Sequence, residues 1–156
     1  MTHEAYLKLA IEEAAEGMRK GDGGPFGAVI IRDGSMIGKG HNTVLRSHDP
    51  TAHAEVNAIR NACKAAGSHH LTGAVIYTNF EPCPMCLAAI YWADIRTLFY
   101  SADRKEAQKI GFMDNHLYSE FTLPEDKREV SSTRIEMNEI SHLLEEWDSM
   151  EDKIIY

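Results

Sequence analysis

Two short clusters in the 156-residue chain carry side chains that can do metal chemistry: His53-Ala54-Glu55 and Pro82-Cys83-Pro84-Met85-Cys86. Two thiolates and one imidazole are good zinc donors, and three protein donors leave the fourth tetrahedral position open to water. That open position separates a catalytic zinc from a closed structural one. Water bound to such an ion has a pKa of about 7 rather than about 16. Glu55, close to His53 in the chain, can take a proton from that water and return it to a substrate. A Cys-x-x-Cys pair by itself is as readily half of a structural zinc knuckle or a redox motif. No second cysteine pair accompanies it here, and no His-x3–5-His run follows Cys86. Cys63 stands alone and reads as a small core residue, His69-His70 as a solvated loop pair, and His41 as a strand residue.

These clusters need elements to hold them. Leu7, Ile11, Ala14 and Met18 recur at helical spacing and Gly21 follows, which predicts a first helix. Phe26 to Arg32 is an apolar, β-branched run, Asp33-Gly34 is a turn signal, and Met36 to Asn42 can return as a second strand. Asp49-Pro50-Thr51 offers a cap and a first-turn proline for a second helix running to Ala66, with Gly67 as its stop. Gly73 to Asn79 reads as a third strand, Pro84 to Ala93 as a third helix and Thr97 to Ser101 as a fourth strand. Asp103 can cap a short fourth helix that ends before Gly111. Residues 111–135 read as irregular, broken by Pro124, before a last amphipathic helix through Ile140, Leu143, Leu144 and Trp147 with Asn138 as cap. Strands alternating with helices predict an α/β layered fold. Both chemical clusters fall at predicted helix starts, where the helix dipole helps hold Cys83 and Cys86 as thiolates.

The chain carries 16 Lys+Arg against 24 Asp+Glu, a net charge of −8. Residues 1–119 are nearly neutral, with 12 basic and 13 acidic side chains; residues 120–156 hold 4 and 11. This excess of acid counts against a protein that grips phosphate backbones. The length predicts one domain over 1–156, with a core in 1–119 that holds the metal site and an acidic segment in 120–156. Three cysteines make a poor disulfide framework and fit reduced thiols. The N-terminus lacks the basic start and apolar middle of a signal peptide, and the longest apolar run, Cys86 to Ala93, is too short to span a bilayer. We therefore expect a cytoplasmic protein with no membrane partner.

The pairing of His-x-Glu with Pro-Cys-x-x-Cys is a zinc deaminase signature. Over most of its length the sequence resembles the cytidine-deaminase-like superfamily, and within it the bacterial guanine deaminases. The residues that carry the likeness are Gly23-Gly24-Pro25-Phe26-Gly27-Ala28-Val29-Ile30, Asn42, Asp49 to Glu55, Glu81 to Cys86, Ala89 to Ala93, Gly111 to Asp114 and Tyr156. The resemblance implies a three-layer α/β/α fold with a mixed sheet of about five strands. It implies Zn2+ held by His53, Cys83 and Cys86, with bound hydroxide as nucleophile and Glu55 as proton shuttle. Guanine would be attacked at C2 and protonated at N3, and ammonia would leave with a proton from Glu55 or Asp114. The resemblance also implies that Asn42 and Asp114 contact the purine, that Phe26 or Phe112 packs on it and that Ala54 lies beside it. It implies a homodimer whose C-terminal segments are swapped, so that Tyr156 enters the partner's site.

Read as residues alone, these positions stay open. Phe26 can stack on a base or fill the sheet. Asn42 offers a donor and an acceptor to a base edge, or caps a turn. Asp114 can accept from guanine N–H groups or cap a helix, and Trp92 can wall a pocket or pack in the core. The apolar end Ile154-Ile155-Tyr156 favours a docked segment. Three other functions compete: deamination of guanosine, cytosine or a triazine; deamination of adenosine in tRNA, which the acidity disfavours; and a zinc-stabilised binding module without turnover, in which Glu55 would have no use.

Overall fold

The computed structural model describes residues 1–155. Along the chain run α1 (His3–Lys20), β1 (Gly27–Arg32), β2 (Ser35–His41), a one-turn α2 (Val44–Ser47), α3 (Ala54–Ala66), β3 (Val75–Phe80), α4 (Pro84–Trp92), β4 (Thr97–Ala102), α5 (Arg104–Lys109), α6 (Asp114–Thr122) and α7 (Glu139–Ser149). They fall into two compact units, Met1–Ser119 and the residues from Glu120 on.

In the first unit the strands form one sheet in the order β2-β1-β3-β4. β1 pairs antiparallel with β2 and β3, and β3 pairs parallel with β4. α1 covers one face, and α3 and α4 cover the other, giving the three-layer α/β/α fold with a mixed sheet. Among the described residues the sheet has four strands, against an expectation of about five. The reason lies after β4: Asp103 forms a capping box with Glu106 and turns the chain into α5 instead of another strand.

β1 is central and buried on both faces, which is why Gly27–Arg32 reads as a continuous apolar run rather than an alternation. Ala28 and Ile30 pack with Ala54, Ala58, Ile76 and Ile90 on the α3/α4 side. Val29 and Ile31 pack with Tyr6, Ala10 and Tyr77 on the α1 side. Asp33 and Gly34 both take positive φ, 51° and 75°, as a tight hairpin turn requires. On β2, a side chain at Gly40 would fall 2.7 Å from the Ala58 backbone nitrogen, and one at Gly38 would fall 2.6 Å from the Ala62 Cβ. Bare backbone there lets α3 lie directly on the edge strand, and that contact sets the height of its first turn.

Three expectations need correction. The first helix forms, but its buried face is Tyr6, Ala10, Glu13, Ala14 and Gly17, while Ile11 and Met18 are about half exposed. Small residues let the helix approach the sheet closely, and Glu13 is buried because partners meet it there. The helix expected from Asp49 begins only at Ala54: Asp49 accepts from the Thr51 amide in a local turn, and His53, the residue before the helix, is extended. Residues 111–135 are not irregular throughout, since α6 occupies Asp114–Thr122 and a 3-10 turn occupies Glu125–Lys127.

In the second unit α7 forms as expected, although the Asn138 side chain makes no capping bond. None of its described residues is buried, and Phe121, Val130, Ile135, Leu143, Leu144 and Ile155 are all exposed. Among the described residues no helix is long and apolar enough to cross a membrane.

Candidate active site

Two helix N-termini converge on one point. His53 is the N-cap of α3 and Cys83 the N-cap of α4, with Pro84 at the first helical position where its missing N–H costs nothing. Neither side chain makes a capping hydrogen bond. Both turn to a shared site instead. His53 Nδ1 lies 3.6 Å from Cys83 Sγ and 3.4 Å from Cys86 Sγ, and all three donor atoms lie within 4.8 Å of one another. A tetrahedral zinc with bonds of about 2.3 Å to sulfur and about 2.1 Å to nitrogen needs a sulfur–nitrogen separation of about 3.6 Å. The donor set fits zinc, and with three protein donors it leaves one position open.

The titration state of the metal-free cluster agrees. Hydrogen bonding from Cys86 holds the Cys83 thiol down to about 4, against burial, and His53 adds to the effect. Cys86 is pushed up by that same bond and by burial. The bond to Cys83 also raises His53, against burial. The pair therefore shares one thiolate, and a dication must displace the remaining protons.

A cavity of about 460 Å³ opens over the donors. Its wall includes His53, Cys83, Glu55, Asn42 and Asp114, with the rings of Phe26 and Phe112. Glu55 sits in the first turn of α3 and is buried; burial pushes its carboxyl up to about 7, against a backbone hydrogen bond that favours the ionised form. Asp114 opens α6, and burial raises its carboxyl, helped by the Cys83 thiolate. Phe26 and Phe112 meet edge to face, 4.6 Å between centroids. Asn42 Oδ1 accepts from the Val44 amide, so the turn-capping role is real and leaves Nδ2 as the donor available to a ligand. Gly23 must be bare at this point, because a Cβ would fall 2.1 Å from Asn42 Oδ1.

The remaining expected residues lie elsewhere. Ala54 is fully buried in the core cluster and contributes nothing to the wall. Trp92 is 69 % exposed and absent from the cavity, because it ends the helix whose other end carries Cys83. Tyr156 lies outside the described residues. Conversely, the wall contains Val44, Leu45, Pro50 and Glu81, which sequence reasoning had not assigned. Val44 and Leu45 belong to α2, which no sequence signal announces, and Pro50 carries the helix-start signal of Asp49-Pro50-Thr51.

Further contacts fix this arrangement. The Asn57 amide, also in α3, donates to the backbone carbonyls of His41 and Ala52, tying the Asn42 and His53 segments together. Glu81 accepts from the Arg104 amide, Arg104 lies over the Tyr118 ring, and the Tyr118 hydroxyl donates to the Pro82 carbonyl. This chain fastens the start of α6, with Asp114, to the loop that carries Cys83.

Comparison with known proteins places these residues in context. Residues 1–102 match the family model described as the cytidine and deoxycytidylate deaminase zinc-binding region. The guanine deaminase of Bacillus subtilis (strain 168) is 45% identical over 156 residues, covering 100% of both chains. The crystal structure of Bacillus subtilis guanine deaminase superposes with a TM-score of 0.96, covering 100% of this chain and 99% of that one. A structure of guanine deaminase from Nitrosomonas europaea is 30% identical, with a TM-score of 0.67 over 71% of this chain and 64% of its own. The tRNA-specific adenosine deaminase of Aquifex aeolicus (strain VF5) is 42% identical over 106 residues, 67% of this chain and 70% of the other.

Proposed function

Because the chain belongs to the cytidine and deoxycytidylate deaminase zinc-binding family, we propose that it hydrolyses guanine to xanthine and ammonia. His53, Cys83 and Cys86 would hold the zinc, which when bound would supply an activated water. Glu55 takes a proton from the attacking water and passes it to ring N3 as C2 becomes tetrahedral. The C2 hydroxyl then gives its proton, through Glu55 or Asp114, to the amino group; the C2–N bond breaks, the C2 carbonyl of xanthine forms and ammonia leaves. Asn42 Nδ2 donates to an acceptor on the purine edge, and Phe26 and Phe112 pack on the ring.

The observation that carries guanine is the Asp114 carboxylate in the cavity wall beside the metal donors. A carboxylate accepts from guanine N1–H, whereas adenine presents a lone pair at N1 and is repelled. The full-length likeness to a guanine deaminase supports the same reading. The likeness to tRNA adenosine deaminases favours a second reading over a shorter stretch of chain. A panel of guanine, guanosine, cytosine, a triazine and an anticodon stem–loop, with ammonia and inosine measured, decides. We expect guanine to lead the adenosine of the stem–loop in kcat/KM by about 10⁴-fold, the scale on which a site built to hydrogen-bond an N–H rejects an analogue that lacks it. Faster inosine formation in the stem–loop would overturn the assignment.

The acidic segment supports a dimer. With its described apolar side chains exposed and none buried, residues from Glu120 on have no core of their own. In our reading two chains exchange these segments, and Tyr156 of each covers the other's cavity. Light scattering should give twice the 17.5 kDa chain mass. Mixing Glu55→Ala chains with Tyr156→Ala chains should restore activity, since one site of each hybrid then has both native residues. A monomer, or mixtures no more active than their parts, would refute the exchange. Three free cysteines suit the reducing cytoplasm, where we place the protein.

A further inference from the structure

On the α1 side of β2, beside the cavity, four charged side chains gather around one histidine. His41 ends β2, and its side chain is 14 % exposed. Its Nδ1 lies 2.8 Å from Glu13 Oε1, and its Nε2 lies 2.9 Å from Asp22 Oδ2. Both carboxylates are buried. Each ring nitrogen thus has a carboxylate oxygen as its hydrogen-bond partner, so the ring is held from both sides. Lys39 Nζ donates to the other Glu13 oxygen at 2.7 Å, and Arg46 Nη1 reaches Asp22 Oδ2 at 3.3 Å. Hydrogen bonds from Lys39 and His41 hold Glu13 below the usual carboxylate range, although burial alone would raise it. α1 is cut to fit the ring: a Cβ at Gly17 would fall 2.3 Å from His41 Cδ2.

Buried charges are costly unless paired, and the reaction described above uses none of these. What they hold is the cavity wall. His41 directly precedes Asn42, and Asp22 directly precedes Gly23 and Gly24. The Asp22 carbonyl accepts from the Leu45 and Arg46 amides, at 3.1 and 3.0 Å, which seats α2 with its wall residues Val44 and Leu45.

We propose that His41 is a positioning residue for the substrate: clamped between Glu13 and Asp22, it sets Asn42 against the Gly23–Gly24 wall so that Asn42 Nδ2 meets the purine edge. The inference rests on the reading of Asn42 as a base contact. It is tested on the zinc-loaded full chain with guanine, comparing His41→Gln, Asn42→Ala and the double variant, with zinc content measured for each. His41→Gln should raise KM about tenfold with kcat within about threefold, the pattern of lost uniform binding. The double variant should show the KM of Asn42→Ala alone, because the group that His41 positions is already gone. An unchanged KM in His41→Gln, or effects that multiply in the double variant, overturns the proposal alone. An unchanged KM in Asn42→Ala overturns the base-edge reading as well. If His41→Gln does not fold, Asp22→Asn, which keeps an acceptor for Arg46, takes its place in the same cycle and decides it the same way.

Discussion

Glu55→Ala is expected to bind zinc as the native chain does and to lose guanine turnover by about 10³-fold or more. A positioned acid or base contributes typically about 10²–10⁴-fold, and in the proposed reaction Glu55 serves both in removing and in delivering protons. The separation of metal from turnover follows from the geometry. Glu55 is not one of the three donor atoms, yet it lies one residue beyond Ala54 on the helix that His53 caps, and it faces the same cavity. A carboxyl that burial has pushed up to about 7 is close to the poise a proton shuttle needs near neutral pH. Alanine suits the helix, and its neighbours on the buried face, Ala54 and Ala58, show that a methyl is tolerated there. Zinc content by chelator absorbance and ammonia release on the same preparation read both quantities. Native turnover in the variant would sink the mechanism, and loss of zinc would move Glu55 into the metal site. Glu55→Gln, which keeps shape but cannot carry the proton, should be equally inactive.

Removing zinc should abolish turnover while leaving the sheet folded. The two apolar clusters that flank β1 owe nothing to the metal: they are built from Ala28, Ile30, Ile76 and Ile90 on one side and from Val29, Ile31, Tyr6 and Tyr77 on the other. A chelated sample, or Cys83→Ala, should keep its far-ultraviolet spectrum and melt lower. At free zinc a thousand times Kd, binding adds about 4 kcal/mol, or roughly 10 °C in a chain of this size. Zinc affinity should also fall as pH falls. In the metal-free site Cys86 and His53 are both raised and so hold protons near neutral pH, and both protons must leave for the donors to bind. Two released protons give a change of about a hundredfold per pH unit. Calorimetry in buffers of different ionisation enthalpy counts them. Restored zinc should restore ammonia release. An affinity flat from about pH 6 to 8 would contradict the protonated site, and complete unfolding on chelation would make the zinc a structural prop.

The chemistry was legible in the sequence because it is local. His53, Glu55, Cys83 and Cys86 sit in two short clusters, and Pro84 puts the second at a helix start where the structure also has it, whereas the cap signal at Asp49-Pro50 puts the other helix start upstream of Ala54, where the structure has it. The hairpin at Asp33-Gly34 and the buried run of β1 were legible for the same reason: turn chemistry and apolar runs are written in consecutive residues. What failed depended on residues far apart. Ile11 and Met18 looked like the packing face of α1, but the face that packs is the one whose Gly17 and Ala14 clear His41 and Gly27 on the sheet, with Glu13 paired to Lys39 and His41. Trp92 by its type can wall a pocket or pack in the core, yet it ends a helix that presents its N-terminus to the site, and the structure leaves it exposed.

The sequence by itself therefore determined which atoms can hold zinc and which carboxylate stands next to them, since ligand identity and spacing are properties of residue type and order. The tertiary structure alone decided that two helix starts meet at one point. It also decided that Asn42 keeps only its Nδ2 free, that Val44, Leu45, Pro50 and Glu81 join the wall, and that His41 is gripped by two buried carboxylates. Those facts come from the packing of α1 and α3 onto opposite faces of one sheet, and no local stretch of chain encodes which side chains that packing will bring together.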